Sequence, residues 1–399
     1  MNSPRPASPH DPAPETTAPA DPAEPVGPAA PAPTASAPSG PVTRRTVLAA
    51  GIPAVAGLVG LGALTNPRPA SLGDPIGDQQ LTSALAPHLS GHRRVAVAYL
   101  DGSGSPRFAG FGADETSEFE IGSISKTFAG ALLAEAITRG EVTAETTVAE
   151  LLGAEAAGSE IAGVTLAELA THTSGMPRLA LAALPGSMVA NFLRKDPYAR
   201  RDAAQVIDDA LGSALTGRGE FAYSNLGVAL QGQLLARAAG TDYASLLTER
   251  ILDPMELSGT YAPILPEHLR ESATRGRGKN GLAQAAWTMA GSAPAGGIRS
   301  TAKDMATYLA RTLDGSAPGA AAASEVLHRV DQTENIGMNW FQEDFGDGTW
   351  HTFHNGMTGG YASFVGFTPE TGSGIVLLTD TARSLDALAM DVLTKQVAL

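Results

Sequence analysis

Ser123-Ile124-Ser125-Lys126 sets a hydroxyl and an amine three residues apart, a spacing that shares one face of a helix. A serine hydroxyl is a weak nucleophile until a neighbouring base takes its proton. Lysine becomes such a base when burial depresses its pKa. At a helix start, Ser123 would also lie where free backbone N–H groups face developing negative charge. The bare pattern is common, and Ser300-Thr301-Ala302-Lys303 repeats it. Context separates the two. Phe119-Glu120-Ile121-Gly122 precedes Ser123 and an apolar helix follows it, which suits a buried, pocket-lining turn. Ser300 reads instead as an ordinary helix N-cap, the bland reading that also competes at Ser123.

Two further groups extend this chemistry. Tyr223-Ser224-Asn225 offers a phenol that, beside an ammonium, would lose its proton more easily and relay protons. The Asn225 amide donates and accepts at once, so it could hold both Lys126 and a substrate carbonyl. His354-Asn355-Gly356 stands just ahead of a strand-like run; a glycine on an edge strand lets a substrate backbone approach closely. The backbone N–H groups of Ser123 and Met357 would then form an oxyanion hole, with His354 supplying a donor near the substrate. Pairing of His351 with His354 at a metal is the competing reading, but zinc takes three or four ligands and nothing else clusters there. The sequence has no H-E-x-x-H, G-x-S-x-G or phosphate loop, and no motif that implies a cofactor.

These residues need elements to carry them. Leu81–Leu89 reads as a short helix, Arg93–Leu100 and Arg107–Phe111 as strands around a turn at 101–104, and Ser125–Arg139 as a helix stopped by Gly140. Val164–Leu313 is mainly helical in pattern. Strands return at Phe364–Phe367 and Ile375–Leu378, and a last helix fits Ala382–Val397. Strands at both ends with helices between predict an α/β (α+β) fold. One antiparallel sheet is built from both termini and flanked by helices, with an all-helical lobe added and the site between the two. Residues 72–399 form one folding unit in this reading.

The amino-terminal part differs in kind. Residues 1–42 contain 13 of the 28 prolines and almost nothing apolar to bury, so disorder is expected. Residues 43–71 hold Arg44-Arg45 followed by the run Val47–Leu64, the pattern of a twin-arginine export signal. A membrane anchor competes, since 18 apolar residues just span a bilayer, although four glycines and Pro53 weaken the run. The expectation is an exported, extracytoplasmic protein, with membrane association through 47–64 as the alternative. Net charge is −14 and the charges of residues 1–70 cancel, so the folded part carries the acidic excess; phosphate-backbone binding is disfavoured. With no cysteine, disulfides, thiolate metal sites and a Cys nucleophile are excluded.

The ordered set Ser123-x-x-Lys126, Tyr223-x-Asn225 and His354-x-Gly356 resembles the serine β-lactamase and penicillin-binding protein superfamily, above all its class C branch. Leu169–Pro177, Pro294–Thr301 and Gly337–Trp340 match as well. The resemblance implies a Ser123 acyl-enzyme formed from an amide or ester carbonyl and released by water activated near Tyr223. It implies a small-molecule or peptide substrate such as a cell-wall peptide, and a structural role for His172. One departure stands out: class C β-lactamases place Lys-Thr-Gly where this chain has His354-Asn355-Gly356. That exchange removes a permanent positive charge suited to a β-lactam carboxylate, so esterase or D-amino-acid peptidase activity is expected ahead of efficient β-lactam hydrolysis. A non-catalytic sensor or scaffold that keeps the fold is the competing class.

Overall fold

The computed structural model describes residues 70–103 and 105–399. The proline-rich tract and the apolar run Val47–Leu64 lie outside the described residues. The strands are β1 (Pro75–Gly77), β2 (Val95–Asp101), β3 (Arg107–Phe111), β4 (Glu118–Glu120), β5 (Arg299–Thr301) and β6 (His328–Arg329). They continue with β7 (Glu334–Ile336), β8 (Phe341–Asp344), β9 (Trp350–Met357), β10 (Ala362–Thr368) and β11 (Ser373–Thr379). Nine of them make one antiparallel sheet in the order β1-β3-β2-β11-β10-β9-β8-β7-β6, and β4 pairs with β5 separately.

The two ends of the chain meet at β2 and β11, where Val97 lies opposite Leu377. Period-two alternation splits both strands between two cores. Val95, Val97, Ile375 and Leu377 pack on one face with Leu81 and Leu85 of the Gln79–Leu85 helix and Leu388 and Val392 of the Asp386–Leu393 helix. Ala96, Ala98, Val376 and Leu378 pack on the other face with Phe128, Leu132, Tyr308 and Leu309. Strands covered on both faces read as continuous apolar runs, the reason the Arg93–Leu100 stretch was readable from sequence. The α/β architecture expected from the terminal strands is the one observed.

Several local expectations shift. The first helix spans Gln79–Leu85 and then tightens into a 3-10 turn at Ala86–His88, because Pro87 has no N–H to continue it. The last helix is shorter than expected, Asp386–Leu393. Within the span read as mainly helical, residues 253–298 hold no α-helix among the described residues. Pro254, Pro263, Pro266, Gly276, Gly278 and Gly281 punctuate that stretch, which runs as loops. Ser300 is not an N-cap. It lies in β5 opposite Phe119, with its Oγ 2.8 Å from Thr260 Oγ1, and Thr301 caps the Ala302–Leu313 helix by accepting from Asp304 N at 3.1 Å.

The β4–β5 pair carries a buried ion cluster. Arg299, wholly enclosed, pairs with Glu118 and, at 2.9 Å, with Glu120. Removing one partner of a buried pair leaves uncompensated charge and typically costs about 3–5 kcal/mol. Arg299→Met is therefore expected to lower stability by about that amount in urea titrations. A loss below about 1 kcal/mol would show that Arg299 is not what holds these carboxylates.

Candidate active site

Ser123 sits in the 3-10 turn Gly122–Ile124 that leads straight into the Ser125–Thr138 helix. Backbone contacts grip this turn from two sides. Ile121 N donates to Ile298 O at 3.1 Å, and Ile298 N donates to Ser125 Oγ at 3.0 Å. On the sheet side, Ser363 Oγ donates to Ile121 O at 2.7 Å. The approach to β9 is closer than side chains would permit. A Cβ on Gly356 would fall 2.1 Å from Ile121 O, and one on Gly122, at φ +51°, would fall 2.8 Å from Met357 N. Two glycines thus bring the Ser123 turn against the end of β9.

The end of β9 is an open edge, although β9 lies inside the sheet rather than at its margin. Pairing with β8 stops at Phe341–Phe353, leaving 354–357 uncovered on that side. Thr358 N donates to Tyr361 O at 3.0 Å, so by antiparallel alternation the next pair, Met357–Ala362, is a non-bonded one. The Met357 N–H consequently points away from β10 and toward the Ser123 turn. With the Ser123 N–H it provides two donors of the kind that hold an oxyanion.

Lys126 is fully buried, with Nζ 3.1 Å from Ser123 Oγ and donating to Ala295 O at 2.5 Å. Burial pushes its ammonium well below the usual lysine range, and the Arg178 guanidinium pushes the same way. Burial thus favours the uncharged amine, whose lone pair can take the Ser123 proton. Tyr223 lies alongside, with Nζ 5.0 Å from its ring centroid. Burial pushes the phenol up to about 12. The expectation of an easily ionised tyrosine thus fails, since burial disfavours a phenolate; Tyr223 is a protonated donor.

Asn225 and His354 are also placed differently from expectation. Asn225 opens the Asn225–Ala238 helix, and its Nδ2 donates to Tyr198 Oη at 3.2 Å rather than engaging Lys126, whose partners are Ser123 and Ala295. Its buried Oδ1 has no partner. His354 is buried, and its Nδ1 donates to Asn355 O at 2.7 Å, which fixes the proton there. Nε2 is then an unpartnered acceptor instead of a donor. Burial pushes its pKa down to about 3. His351, an odd number of residues away on the same strand, projects from the opposite face and bonds Thr368 and Asp347, which disposes of an imidazole pair. His172 accepts from Ser224 N at 3.2 Å and packs its ring 4.5 Å from that of Tyr223.

Five contributors were not singled out from residue type. Ala295 acts through a backbone carbonyl, which leaves no trace in residue type. Arg178 lies 5.3 Å from the Tyr223 ring, and Tyr198 and Trp287 pack with centroids 5.7 Å apart. Trp287 N donates to Glu120 Oε1 at 3.0 Å, and Asp196 accepts from Thr288 N and Met289 N at 2.9 and 2.8 Å.

Two predictions follow from this geometry. Gly356→Val should cut turnover by about 10²-fold or more while a folded circular-dichroism spectrum persists, because its side chain would push β9 off the Ser123 turn; near-normal turnover would contradict the close approach. Lys126→Met tests the neutral amine. Free lysine titrates at about 10.4, so below that pH the unfolded chain holds one more proton than the folded one. Stability then rises with pH through the window between the lowered folded pKa and about 10.4. Lys126→Met should raise the melting temperature at pH 7 by at least about 2 °C, with the gain shrinking as pH approaches 10.4. An unchanged or lower melting temperature at pH 7 would argue for a charged lysine.

The chain is 25% identical over 301 residues to a beta-lactamase of Escherichia coli (strain K12), covering 66% of this chain and 75% of that protein. It is 30% identical over 152 residues to beta-lactamase-like protein 2 of Dictyostelium discoideum, spanning 36% of this chain and 26% of that one. The fold matches a class C beta-lactamase from Rhodobacter sphaeroides with a TM-score of 0.68 at 20% identity, over 80% of this chain and 100% of that one. A D-alanine carboxypeptidase from Burkholderia cenocepacia matches with a TM-score of 0.66 at 20% identity, over 80% and 98%. The model of the beta-lactamase family matches residues 81–399. By that match, and with a serine, a buried lysine and a tyrosine gathered at one turn, the chain belongs to the beta-lactamase family.

Proposed function

We propose that the protein is a serine hydrolase that opens an amide or ester carbonyl through an acyl-enzyme on Ser123. The observation that carries this reading is the buried Lys126 amine 3.1 Å from Ser123 Oγ, its pKa pushed down by burial. In the first half-reaction Lys126 Nζ takes the Ser123 proton as Oγ bonds to the carbonyl carbon. The resulting oxyanion is met by the N–H groups of Ser123 and Met357. On collapse the carbon–leaving-group bond breaks, and the proton held by Lys126 passes to the leaving amine or alkoxide with Tyr223 as the relay. Water, deprotonated by the same groups, then attacks the acyl carbon and frees Ser123. A phenol pushed up to about 12 suits this role, because it passes one proton on while accepting another and never stands as an anion.

His354 bears on the substrate. A histidine pushed down to about 3 carries no charge at neutral pH, so this position supplies no cation for a β-lactam carboxylate. That supports esters or D-amino-acid peptides ahead of β-lactams, although relatives are named for both beta-lactamase and D-alanine carboxypeptidase activity. A fluorophosphonate probe should label the wild type covalently, leave Ser123→Ala unlabelled, and label Lys126→Ala at least about 10²-fold more slowly. No labelling of either Ser123 form would favour a binding protein that keeps the fold; labelling of Ser123→Ala equal to wild type would put the nucleophile elsewhere. Export is part of the proposal, on the strength of Arg44-Arg45 before Val47–Leu64. Replacing both arginines by lysine should retain the protein in the cytoplasm on cell fractionation, and unimpaired export would remove this assignment.

A further inference from the structure

Beside the site lies a cavity of about 1090 Å³ that the acyl-transfer chemistry does not use. It is at the upper end of the range typical of small-molecule sites. Its walls are mostly aliphatic: Val189, Ala190 and Leu193 from the Leu184–Phe192 helix and its end, and Leu269, Ala285 and Ala286 from the loops that follow. That helix also turns apolar side chains outward. Leu181 just before it is 79% exposed, Met188 72% and Phe192 86%, an amount of bare apolar surface in one segment that needs a partner.

The charge around the cavity runs against the charge of the protein. A chain with a net charge of −14 lines this cavity with Lys195, Arg200, Arg201, Arg270 and Arg275, while Asp196 is the acid in the lining. Asp196 faces inward and is occupied by backbone N–H groups of Thr288 and Met289. Of the five cations, Arg201 alone has a carboxylate partner among the described residues, Asp209 at 3.1 Å. Apolar walls with a rim of unneutralised cations complement a molecule with an apolar chain and an anionic head.

The cavity also adjoins the serine site. A smaller cavity of about 30 Å³ shares Ala183, Ser187, Pro197 and Arg201 with it and reaches Tyr198 and Asn225. Tyr198, which lines the smaller cavity, packs against Trp287 with ring centroids 5.7 Å apart.

We infer that this cavity binds a single-chain anionic amphiphile, its tail against the Leu184–Phe192 helix and its head at Lys195 and Arg200. The site is built without Ser123, so binding does not depend on acyl transfer. Calorimetry on Ser123→Ala with dodecanoate, dodecanol and butyrate, all below micellar concentrations, tests it. Dodecanoate should bind at one saturable site, dodecanol at least about tenfold more weakly, and butyrate not measurably. Lys195→Glu with Arg200→Glu should weaken dodecanoate by about tenfold or more and leave dodecanol unchanged. Ala190→Trp with Ala286→Trp, which fills the cavity from two wall segments, should abolish binding with the circular-dichroism spectrum intact. No saturable dodecanoate binding, equal affinity for dodecanol, or affinity untouched by the charge reversals would each overturn the inference. If the filled variant does not fold, the charge reversals decide it alone. Failure here leaves labelling of Ser123 untouched, and failure of labelling leaves this binding untouched.

Discussion

The site depends on one unfavourable act, the removal of the Lys126 ammonium from water without a carboxylate to receive it. Burial alone disfavours the charged form, and the positive Arg178 adds to that. A carboxylate at the same distance would reverse the effect and leave a charged, non-basic lysine. The nearest acids in the chain, Glu120 and Glu118, six and eight residues earlier, are both paired with Arg299. The Ala295 carbonyl does what a carboxylate must not, satisfying one N–H with a dipole instead of a full charge.

Desolvation acts on the neighbours as well. Burial keeps the proton on Tyr223, and an uncharged hydroxyl, amine and phenol can pass protons without separating charge in a low-dielectric site. His354 is neutral for the same reason. The site is accordingly a cluster of uncharged donors and acceptors beside two backbone N–H groups, and charge arises there only when a carbonyl is attacked.

The sheet is what lets these groups meet. Joining β2 to β11 closes the two ends of the chain into one layer, and the Ser125–Thr138 helix packs on its face with Ser123 at the near end. Gly122 and Gly356 then allow two stretches of backbone, more than 200 residues apart, to touch. The early end of β8 leaves the last residues of β9 unpaired, so the same strand that completes the sheet also offers an edge to a substrate.

Much of this was legible from residue types alone. Strands buried on both faces announce themselves as apolar runs, and Ser123-x-x-Lys126 followed by an apolar helix identifies a hydroxyl and an amine on one buried face, because that relation is local and helical spacing dictates it. What residue types could not convey was protonation and partnership. Residue type suggests an easily ionised phenol at Tyr223 and a donor imidazole at His354; the structure differs on both, because a pKa and a tautomer are set by the surroundings, here by burial and by the Asn355 carbonyl. Asn225 was assigned to Lys126, yet its partner is Tyr198, and the lysine's is a carbonyl at Ala295 that no residue type can signal. Chemical capacity resides in the side chains and their spacing, so sequence determines it; the charge each group carries and the atom it faces come from long-range packing, which exists only in the folded chain.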